Sequence, residues 1–449
     1  MSRLRHRALI ALLGVALVLP GWAQQGGDDP PEEPGLPPGL GDDDEEESAD
    51  TSPERPFPPR GLHGFVEARL GPRLYSDPAQ SKNFTLGEVR LQAAYERTWK
   101  FVSLDAAGDL ILDAVLEEVD TDLRQLRVNV RPPGQVDLQL GRQIITWGTG
   151  DLLFINDLFP KDWQSFFIGR DEDYLKAPSN TLRLGWFAGK VNLDLAYTPQ
   201  FEPDRYIRGE RISFWDPASG GFRGDAMPLV ADVPDDPFSD DEIAARIYGN
   251  AGSYEIAGYG YAGFWKSPAG TDPATGHATF PALDVWGASA RGPLGPGIAN
   301  VEVGYYDSRD DSRGDDPFVN NGEFRLLAGY ELELARELTG GFQYYLEQML
   351  DHERYLDSLP AGTPRDENRH ALTVRITKLL RGQTVIPSIF AYYSPSDRDG
   401  YLRPKLLWKR SDHQTIEFGA NLFFGRDPHT FFGQFENNSD VYGSIRFQM

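Results

Sequence analysis

The sequence predicts an all-β protein, namely a transmembrane antiparallel up-and-down β-barrel of about 18 strands (range about 16–18). Three observations support this prediction. Apolar and polar residues alternate with a period of two from about residue 61 to the C-terminus. Long and short connections alternate between the predicted strands. After the N-terminal segment, no run of about 18 apolar residues could form a spanning helix, and only helices and closed barrels satisfy their backbone hydrogen bonds in lipid.

Residues 1–23 have the features of a cleavable signal peptide. Basic residues at positions 3, 5 and 7 precede an apolar run over residues 8–19, and small residues stand at positions 21 and 23, where signal peptidase recognises them. The apolar run is shorter than the roughly 20 residues that a transmembrane helix needs. We therefore expect export and cleavage after Ala23.

Residues 24–60 predict a disordered, acidic, Pro- and Gly-rich tail in the periplasm. The stretch from Gln24 to Asp50 holds eleven acidic residues and no basic one, in a chain whose net charge is −24. Such a composition cannot bury a core. A solvated linker and an arm that binds cations or contacts the cell wall are both compatible with it. The acidity argues against nucleic acid as a partner.

The period-two alternation assigns residues 61–449 to the barrel. From Thr415 to Leu422, the even positions are apolar and the odd positions are polar or small. The predicted strands cover residues 61–70, 84–97, 100–113, 123–131, 136–146, 179–188, 191–198, 242–250, 254–266, 282–292, 298–307, 323–334, 337–349, 368–379, 384–394, 401–410, 414–425 and 439–448.

Connections after odd-numbered strands are mostly long, and those after even-numbered strands are short. The long connections cover residues 71–83, 147–178, 199–241, 267–281, 308–322, 350–367 and 426–438. Short ones include Gly189-Lys190 and residues 251–253. This alternation predicts short periplasmic turns, long outer loops and both termini in the periplasm. A soluble all-β domain remains the alternative, although a secreted sandwich gives no reason to sort its loops in this way.

Charged residues within the strands predict the lining of the lumen. A charged side chain that faces lipid costs about 2–4 kcal/mol at mid-depth, so these residues are expected to point inward. The predicted lining residues are Arg90, Arg127, Arg131, Arg183, Arg246, Arg325, Arg375, Arg403, Glu331, Glu333 and Glu417. Two interpretations stay open: mutual ion pairing inside the barrel, or a solute path whose selectivity the charges tune.

The connection 147–178 is unusually apolar and aromatic for a long outer loop. We expect it to fold into the lumen and to narrow the pore, because long loops without their own structure are usually functional. A contact at the barrel rim or with a partner, and a simple packed loop, are the alternatives. The residues expected at the constriction are Asp151, Asp157, Asp162, Arg170, Asp173 and Lys176.

Aromatic residues near the predicted strand ends favour girdles at the two membrane interfaces, although ordinary β-propensity could account for some of them. The candidates are Trp99, Trp147, Trp186, Trp265, Trp286, Trp408, Tyr344 and Tyr345.

The C-terminal strand 439–449 is expected to be recognised by the outer-membrane assembly machinery. Apolar or small residues alternate there with polar ones from Val441 to Phe447, but Met449 stands where such strands usually end in an aromatic residue.

Several motifs resemble a known family. Gly141-Arg142-Gln143, Trp147-Gly148 and Asn-Asp-Leu-Phe-Pro at 156–160 resemble an uncharacterised porin-like outer-membrane β-barrel family of proteobacteria, over most of residues 61–449. The Gly-Arg-Gln motif is more distantly similar to alginate-export-type porins, whose lumen is rich in arginine. The resemblance implies a porin-like barrel and no particular solute, and the interleaved acids here argue against polyuronate export.

These features together predict an outer-membrane channel for passive or substrate-selective diffusion of small polar or anionic solutes. The six histidines outside the signal segment are scattered, and there is no Gly-rich phosphate loop, so neither enzymatic activity nor a cofactor is expected. The alternative is a non-conducting structural barrel that scaffolds a partner or an export complex. Expected partners are outer-membrane lipid, lipopolysaccharide and small solutes, and the oligomeric state is open.

The predicted topology can be tested with epitope tags. Tags inserted near Asp216, Asp315 and Arg354 should be reachable from outside intact cells, because each lies in a long loop. Tags at Gly189 or Gly252, in short turns, should be reachable only after the outer membrane is permeabilised. The reverse pattern of antibody labelling would invert the assignment of sides.

Overall fold

The computed structural model describes residues 61–217, 219–359 and 364–449. The chain divides into two units, Met1–Arg60 and Gly61–Met449. The predicted signal peptide (1–23) and acidic tail (24–60) lie outside the described residues and stay predictions.

The unit Gly61–Met449 forms an 18-stranded antiparallel sheet. Its strands, numbered in chain order, are β1 Leu62–Pro72, β2 Phe84–Trp99, β3 Val102–Asp113, β4 Glu118–Val130, β5 Val136–Gln143, β6 Ser179–Phe187, β7 Val191–Thr198, β8 Glu242–Ala251, β9 Tyr254–Phe264, β10 Ala282–Leu294, β11 Gly297–Ser308, β12 Glu323–Ala335, β13 Leu338–Met349, β14 Asn368–Lys378, β15 Val385–Ser394, β16 Asp399–Ser411, β17 Gln414–Gly425 and β18 Asp440–Gln448.

Each strand pairs with its neighbours in the chain, and β1 pairs with β18, so the sheet closes into a barrel. Phe65 pairs with Gln448 and Leu70 with Gly443 along this seam. Closure leaves no unpaired edge among these strands, which a sheet in lipid requires. The predicted fold, an up-and-down barrel of about 18 strands, is confirmed.

Strand alternation sorts side chains to the two faces of the barrel. On β1, Glu67 and Arg69 point inward and are 3% and 4% exposed, whereas Leu70 points outward and is 54% exposed. On β17, Glu417 is buried inside and Phe418 is exposed outside. The outer face is therefore apolar where it would meet lipid, and polar side chains occupy the interior.

The connections sort to the two ends of the barrel. The short-turn end carries the eight turns that follow even-numbered strands, such as 188–190 and 252–253. The long-loop end carries the remaining connections, as the sequence predicted, but 114–117 and 395–398 are as short as turns. Short strands of two or three residues lie within the long loops and form two small sheets.

In the part of the chain that the structure describes, helices are few and short. They are α1 Trp163–Phe167, α2 His352–Ser358 and the 3₁₀ turns Glu172–Leu175, Arg309–Asp311 and Gly433–Asn438. Among the described residues, no helix is long and apolar enough to cross a membrane; this finding has no bearing on spanning strands.

Three residues proposed for the aromatic girdles lie inside the barrel instead. Trp147 and Trp265 are each 7% exposed and Tyr345 is 5% exposed, all within the central hydrophobic cluster. The assignment was wrong for them because position near a strand end does not decide the face: Tyr345 has the inward phase of β13, and Trp147 lies on a loop that turns inward. Trp99 and Trp186 are exposed on the outer face.

The seam between β1 and β18 generates a prediction about assembly. Deleting residues 440–449 should abolish the heat-modifiable folded band on gels, because the edges of β1 and β17 would lose their partners. Phe447→Ala should lower the folded yield in cells if the C-terminal strand is also the targeting signal. Phe424→Ala, an equally exposed outward phenylalanine on β17, serves as the matched control. A normal folded yield after the deletion would contradict the role assigned to the strand.

Candidate functional site

The connection between β5 and β6, residues 144–178, is named here the lumen loop, because it contacts inward-facing side chains of many strands. Glycines allow its sharp turns: Gly148 and Gly169 adopt φ values of 83° and 85°, a left-handed region that favours glycine. The loop passes from the wall formed by β11–β14 to the wall formed by β16–β18, β1 and β2.

Glu302 on β11 anchors the first part of the lumen loop. Its carboxylate is 1% exposed and accepts hydrogen bonds from the backbone N–H of Thr149, from that of Gly150 (2.9 Å) and from the side chain of Asn156 (3.1 Å). Asn300, two residues earlier on the same strand, donates to the Thr149 carbonyl at 3.1 Å. A buried carboxylate is costly unless such donors surround it, so these contacts specify where the loop runs.

Asp151 binds the neighbouring wall. Its backbone exchanges two hydrogen bonds of 2.7 Å with the side chain of Gln343 on β13. Its carboxylate pairs with Arg375 on β14. This stretch of the loop is therefore bound to β13 by backbone hydrogen bonds and to β14 by an ion pair.

An aromatic core connects the middle of the lumen loop to the wall at the long-loop end. Phe166 and Phe167 on α1 are 5% and 4% exposed and lie with their ring centroids 5.7 and 5.8 Å from Tyr401 on β16. Phe167 also lies 5.5 Å from Phe423 on β17, edge to face. Such pairs stabilise by about 0.5–1.5 kcal/mol beyond their buried area. Apolar packing thus fills part of the lumen.

Glu172 lies at the centre of a basic cluster on the next wall. Its carboxylate is 3.4 Å from Arg375, 3.7 Å from Arg403 and 3.7 Å from Lys405. Burial disfavours its charged form, but the three cations outweigh this effect and hold the pKa of the Glu172 carboxyl below its usual value. Asp171 pairs in the same way with Arg446 on β18, at 3.1 Å.

The end of the lumen loop is bound to the wall formed by β2 and β4. Arg170 pairs with Glu88 at 2.6 Å. The ring of Tyr174 lies between two guanidinium groups, 4.2 Å from that of Arg90 and 4.5 Å from that of Arg124. Desolvated cation–π contacts of this kind are worth about 2 kcal/mol. The loop is therefore held at both ends and on facing walls.

A second long connection, 199–241, also enters the lumen. Asp204 accepts hydrogen bonds from the backbone N–H of Lys161 (2.7 Å) and from the indole of Trp163 (3.0 Å). Arg205 pairs with Asp122 on β4 at 2.7 Å. From the sequence, this connection was expected only to be a long outer loop, and nothing in its composition distinguished these two residues from the surrounding charges.

The six residues expected at the constriction occupy different settings. Asp151 and Arg170 bind the wall as described. Asp157 is 5% exposed and pairs with Lys161 at 3.0 Å, and Asp162 is 2% exposed and caps α1 through the Ser165 N–H. Asp173 is exposed and Lys176 is partly buried. Asp157 and Asp162 thus stabilise the loop itself, and their part in a constriction stays a prediction. Glu172, which was not among the residues expected from the sequence, has a side chain that is 30% exposed.

Most of the predicted lining residues meet an opposite charge. Arg90, Arg127, Arg183, Arg246, Arg325, Arg375, Arg403 and Glu417 pair with Asp109, Asp105, Asp194, Glu255, Glu323, Asp151, Glu172 and Arg69, respectively. Arg131 lies just beyond β4, largely exposed, 3.4 Å from Asp137. Glu331 and Glu333 share the inward phase of β12 but are exposed near the short-turn end. The ion-pairing interpretation therefore describes most of this set.

The lumen loop divides the interior into separate cavities. A cavity of about 460 Å³ on the long-loop side is lined by aromatic residues and by Arg325 and Arg369. A polar cavity of about 280 Å³ on the short-turn side is lined by Asp151, Arg375 and Glu331, among others. The segment 149–153 stands between the two. A third cavity, of about 350 Å³, lies between β2–β4 and the two inward loops.

No protein-family model matches the sequence, and no curated protein matches it. Among solved structures, the chain is similar to OccAB3 of Acinetobacter baumannii (TM-score 0.51, 9% identity, 86% of this chain and 98% of that one). It is also similar to a BenF-like porin from Pseudomonas fluorescens (0.51, 9%, 87% and 97%) and to OpdL of Pseudomonas aeruginosa (0.50, 11%, 87% and 98%). At these identities the likeness shows a shared barrel fold, and the resemblance to one proteobacterial family stays a prediction.

The contacts of Glu302 predict how the lumen loop can be released. Glu302→Ala leaves several loop donors without an acceptor, at about 1–3 kcal/mol for each buried group. The chain contains no cysteine, so a Leu153→Cys substitution reports loop exposure through thiol labelling. We expect labelling at least about tenfold faster in the Glu302→Ala background, since tenfold corresponds to only about 1.4 kcal/mol.

The control for this experiment is Glu333→Ala, which removes another inward-phase carboxylate whose hydrogen bond is to Glu337 in a turn. Labelling rates that stay equal in the parent and in both variants would show that Glu302 does not hold the loop.

Proposed function

We propose that the protein is an outer-membrane porin-like channel for passive or substrate-selective diffusion of small polar or anionic solutes, with its constriction set by the lumen loop. One observation carries the proposal: the segment 149–153 lines two cavities of a closed barrel, one bordered by residues of the long-loop end and one by residues near the short-turn end. A solute that crosses the barrel along β11–β14 has to pass this segment. The similarity to solved porins supports the same conclusion at the level of the fold.

The charges on the lumen loop and on the wall that it contacts support a preference for polar and anionic solutes. Arg375, Arg403 and Lys405 gather at one wall, and Asp151 and Glu172 of the lumen loop offset them. In a narrow passage with low-dielectric walls, charges act on a passing ion more strongly than they do in bulk water. Small rearrangements of the loop would therefore change how much of this positive potential a solute meets.

A non-conducting structural barrel that scaffolds a partner or an export complex is the second candidate. The aromatic core around Phe166 and Phe167 favours it, because this packing fills part of the lumen as a domain core would. Single-channel recording in planar bilayers separates the two candidates: stepwise conductance supports the channel, and sustained silence of the folded protein supports the scaffold.

Removing part of the lumen loop should widen the pore. Deleting residues 155–172 takes away α1 and Glu172, and we expect single-channel conductance to rise by about twofold or more because the constriction is relieved. Deleting α2, His352–Ser358, which has no buried residue, provides a control of an outer loop.

Asp151→Asn combined with Glu172→Gln should shift the reversal potential toward anions, whereas Asp357→Asn in α2 should leave it unchanged.

Two results would contradict the proposal in different ways. An unchanged conductance and ion preference after both alterations of the lumen loop would place the constriction elsewhere. A silent parent protein that becomes conducting after the deletion would make the loop a plug, and the parent barrel a scaffold rather than an open channel.

A further inference from the structure

Three tryptophans mark one level of the outer face. Trp99, Trp186 and Trp408 are 47%, 45% and 41% exposed, and strand alternation points each of them outward. Each lies next to a turn at the short-turn end: Trp99 ends β2, Trp186 is near the end of β6, and Trp408 is near the end of β16. Tryptophan in this arrangement is typical of the boundary between hydrocarbon and headgroups.

Exposed basic side chains accompany these tryptophans. We name as the cationic belt six exposed basic residues in or beside the turns of this end: Arg97, Lys100, Lys190, Arg336, Arg381 and Arg410. Two further exposed basic residues are left out, because Arg131 lies next to Asp137 and Lys409 has the inward phase of β16. Each tryptophan has a belt residue within four positions of it in the sequence. The guanidinium of Arg97 lies 5.3 Å from the ring of Trp99, and the ammonium of Lys100 lies 4.7 Å from the ring of Phe101.

Among the residues that the structure describes, few acids accompany the belt on the outer face. Glu96 and Glu333 at this end have the inward phase of their strands, and Asp412 and Glu337 lie in two of the turns. The long-loop end has the opposite character, with many exposed acids. They include Glu117, Asp235, Asp236, Asp310, Glu353, Asp366 and Glu367. The barrel is thus charge-polarised along its axis.

We propose that the cationic belt binds the anionic headgroups of glycerophospholipids in the membrane leaflet at the short-turn end. The tryptophans place the belt at headgroup depth, and the flexible stems of lysine and arginine let their charges reach phosphates there. Each basic residue at such a surface adds to the attraction of anionic lipid. This inference needs the barrel to lie in a bilayer and does not depend on whether it conducts.

The test measures lipid preference around the full-length folded barrel. Tryptophan fluorescence is quenched in dioleoylphosphatidylcholine vesicles that contain either brominated phosphatidylglycerol or brominated phosphatidylcholine. We expect the relative association constant for phosphatidylglycerol to exceed that for phosphatidylcholine by about threefold or more at low salt. The preference should weaken as ionic strength rises from about 0.05 to 0.5 M, because the Debye length shortens.

The variant Lys100→Gln, Lys190→Gln and Arg410→Gln should clearly lower this ratio, because each removed charge takes away its share of the attraction. Lys→Arg at the first two positions should preserve the ratio. A matched variant at the long-loop end replaces the exposed Arg313, Arg354 and Arg426 by Gln and should keep the preference. Heat-modifiability on gels verifies that each variant is folded.

Three outcomes would overturn the inference. The first is a parent protein with no preference for phosphatidylglycerol. The second is a preference that is as strong in the belt variant as in the parent protein. The third is a preference abolished by excess soluble glycerol phosphate, which would indicate a pocket for free phosphate instead of a lipid surface.

Discussion

The hydrogen-bonded seam between β1 and β18 closes the sheet into a barrel. Closure separates an interior from the outer face, and the remaining structure depends on this interior. Once the sheet is closed, every second side chain of each strand points into a confined space of limited water. Charges there cannot rely on bulk solvent, so they pair with one another or with backbone donors. The ion pairs along β1, β17 and β18, such as Arg69 with Glu67 and Glu417, follow from this confinement.

The lumen loop is specified by the same requirement. Glu302 would be a costly buried anion without the N–H groups of the loop, and Arg403, which is 2% exposed, would be a costly buried cation without Glu172 and the Arg170 carbonyl. Breaking a buried pair by removing one partner costs about 3–5 kcal/mol, whereas an exposed pair is worth little. Wall and loop therefore hold each other in place, and the connection 199–241 adds a further support through Asp204.

Much of the fold was predictable because its signals are local. The alternation on β17 and the inward phase of Arg325 or Arg375 follow from the cost of a polar group in lipid, and the sorting of long and short connections follows from the up-and-down topology. The sequence also indicated an apolar loop that turns inward. Trp265 and Tyr345 were assigned to a girdle and lie in the interior instead; an aromatic ring is stable in both places, so its chemistry does not decide between them.

The sequence by itself determined which residues form strands and which face of the barrel each residue takes. It also determined that the connection 147–178 is too apolar to lie in solvent. These properties depend on residue types that are close together in the sequence. Only the tertiary structure decided which charges meet. Arg375 binds Glu172 from 203 residues away, and Glu302 binds Gly150 from 152 residues away. The curvature of the closed barrel and the path of the loop across it determine which charged groups meet, and no local sequence pattern specifies either of them.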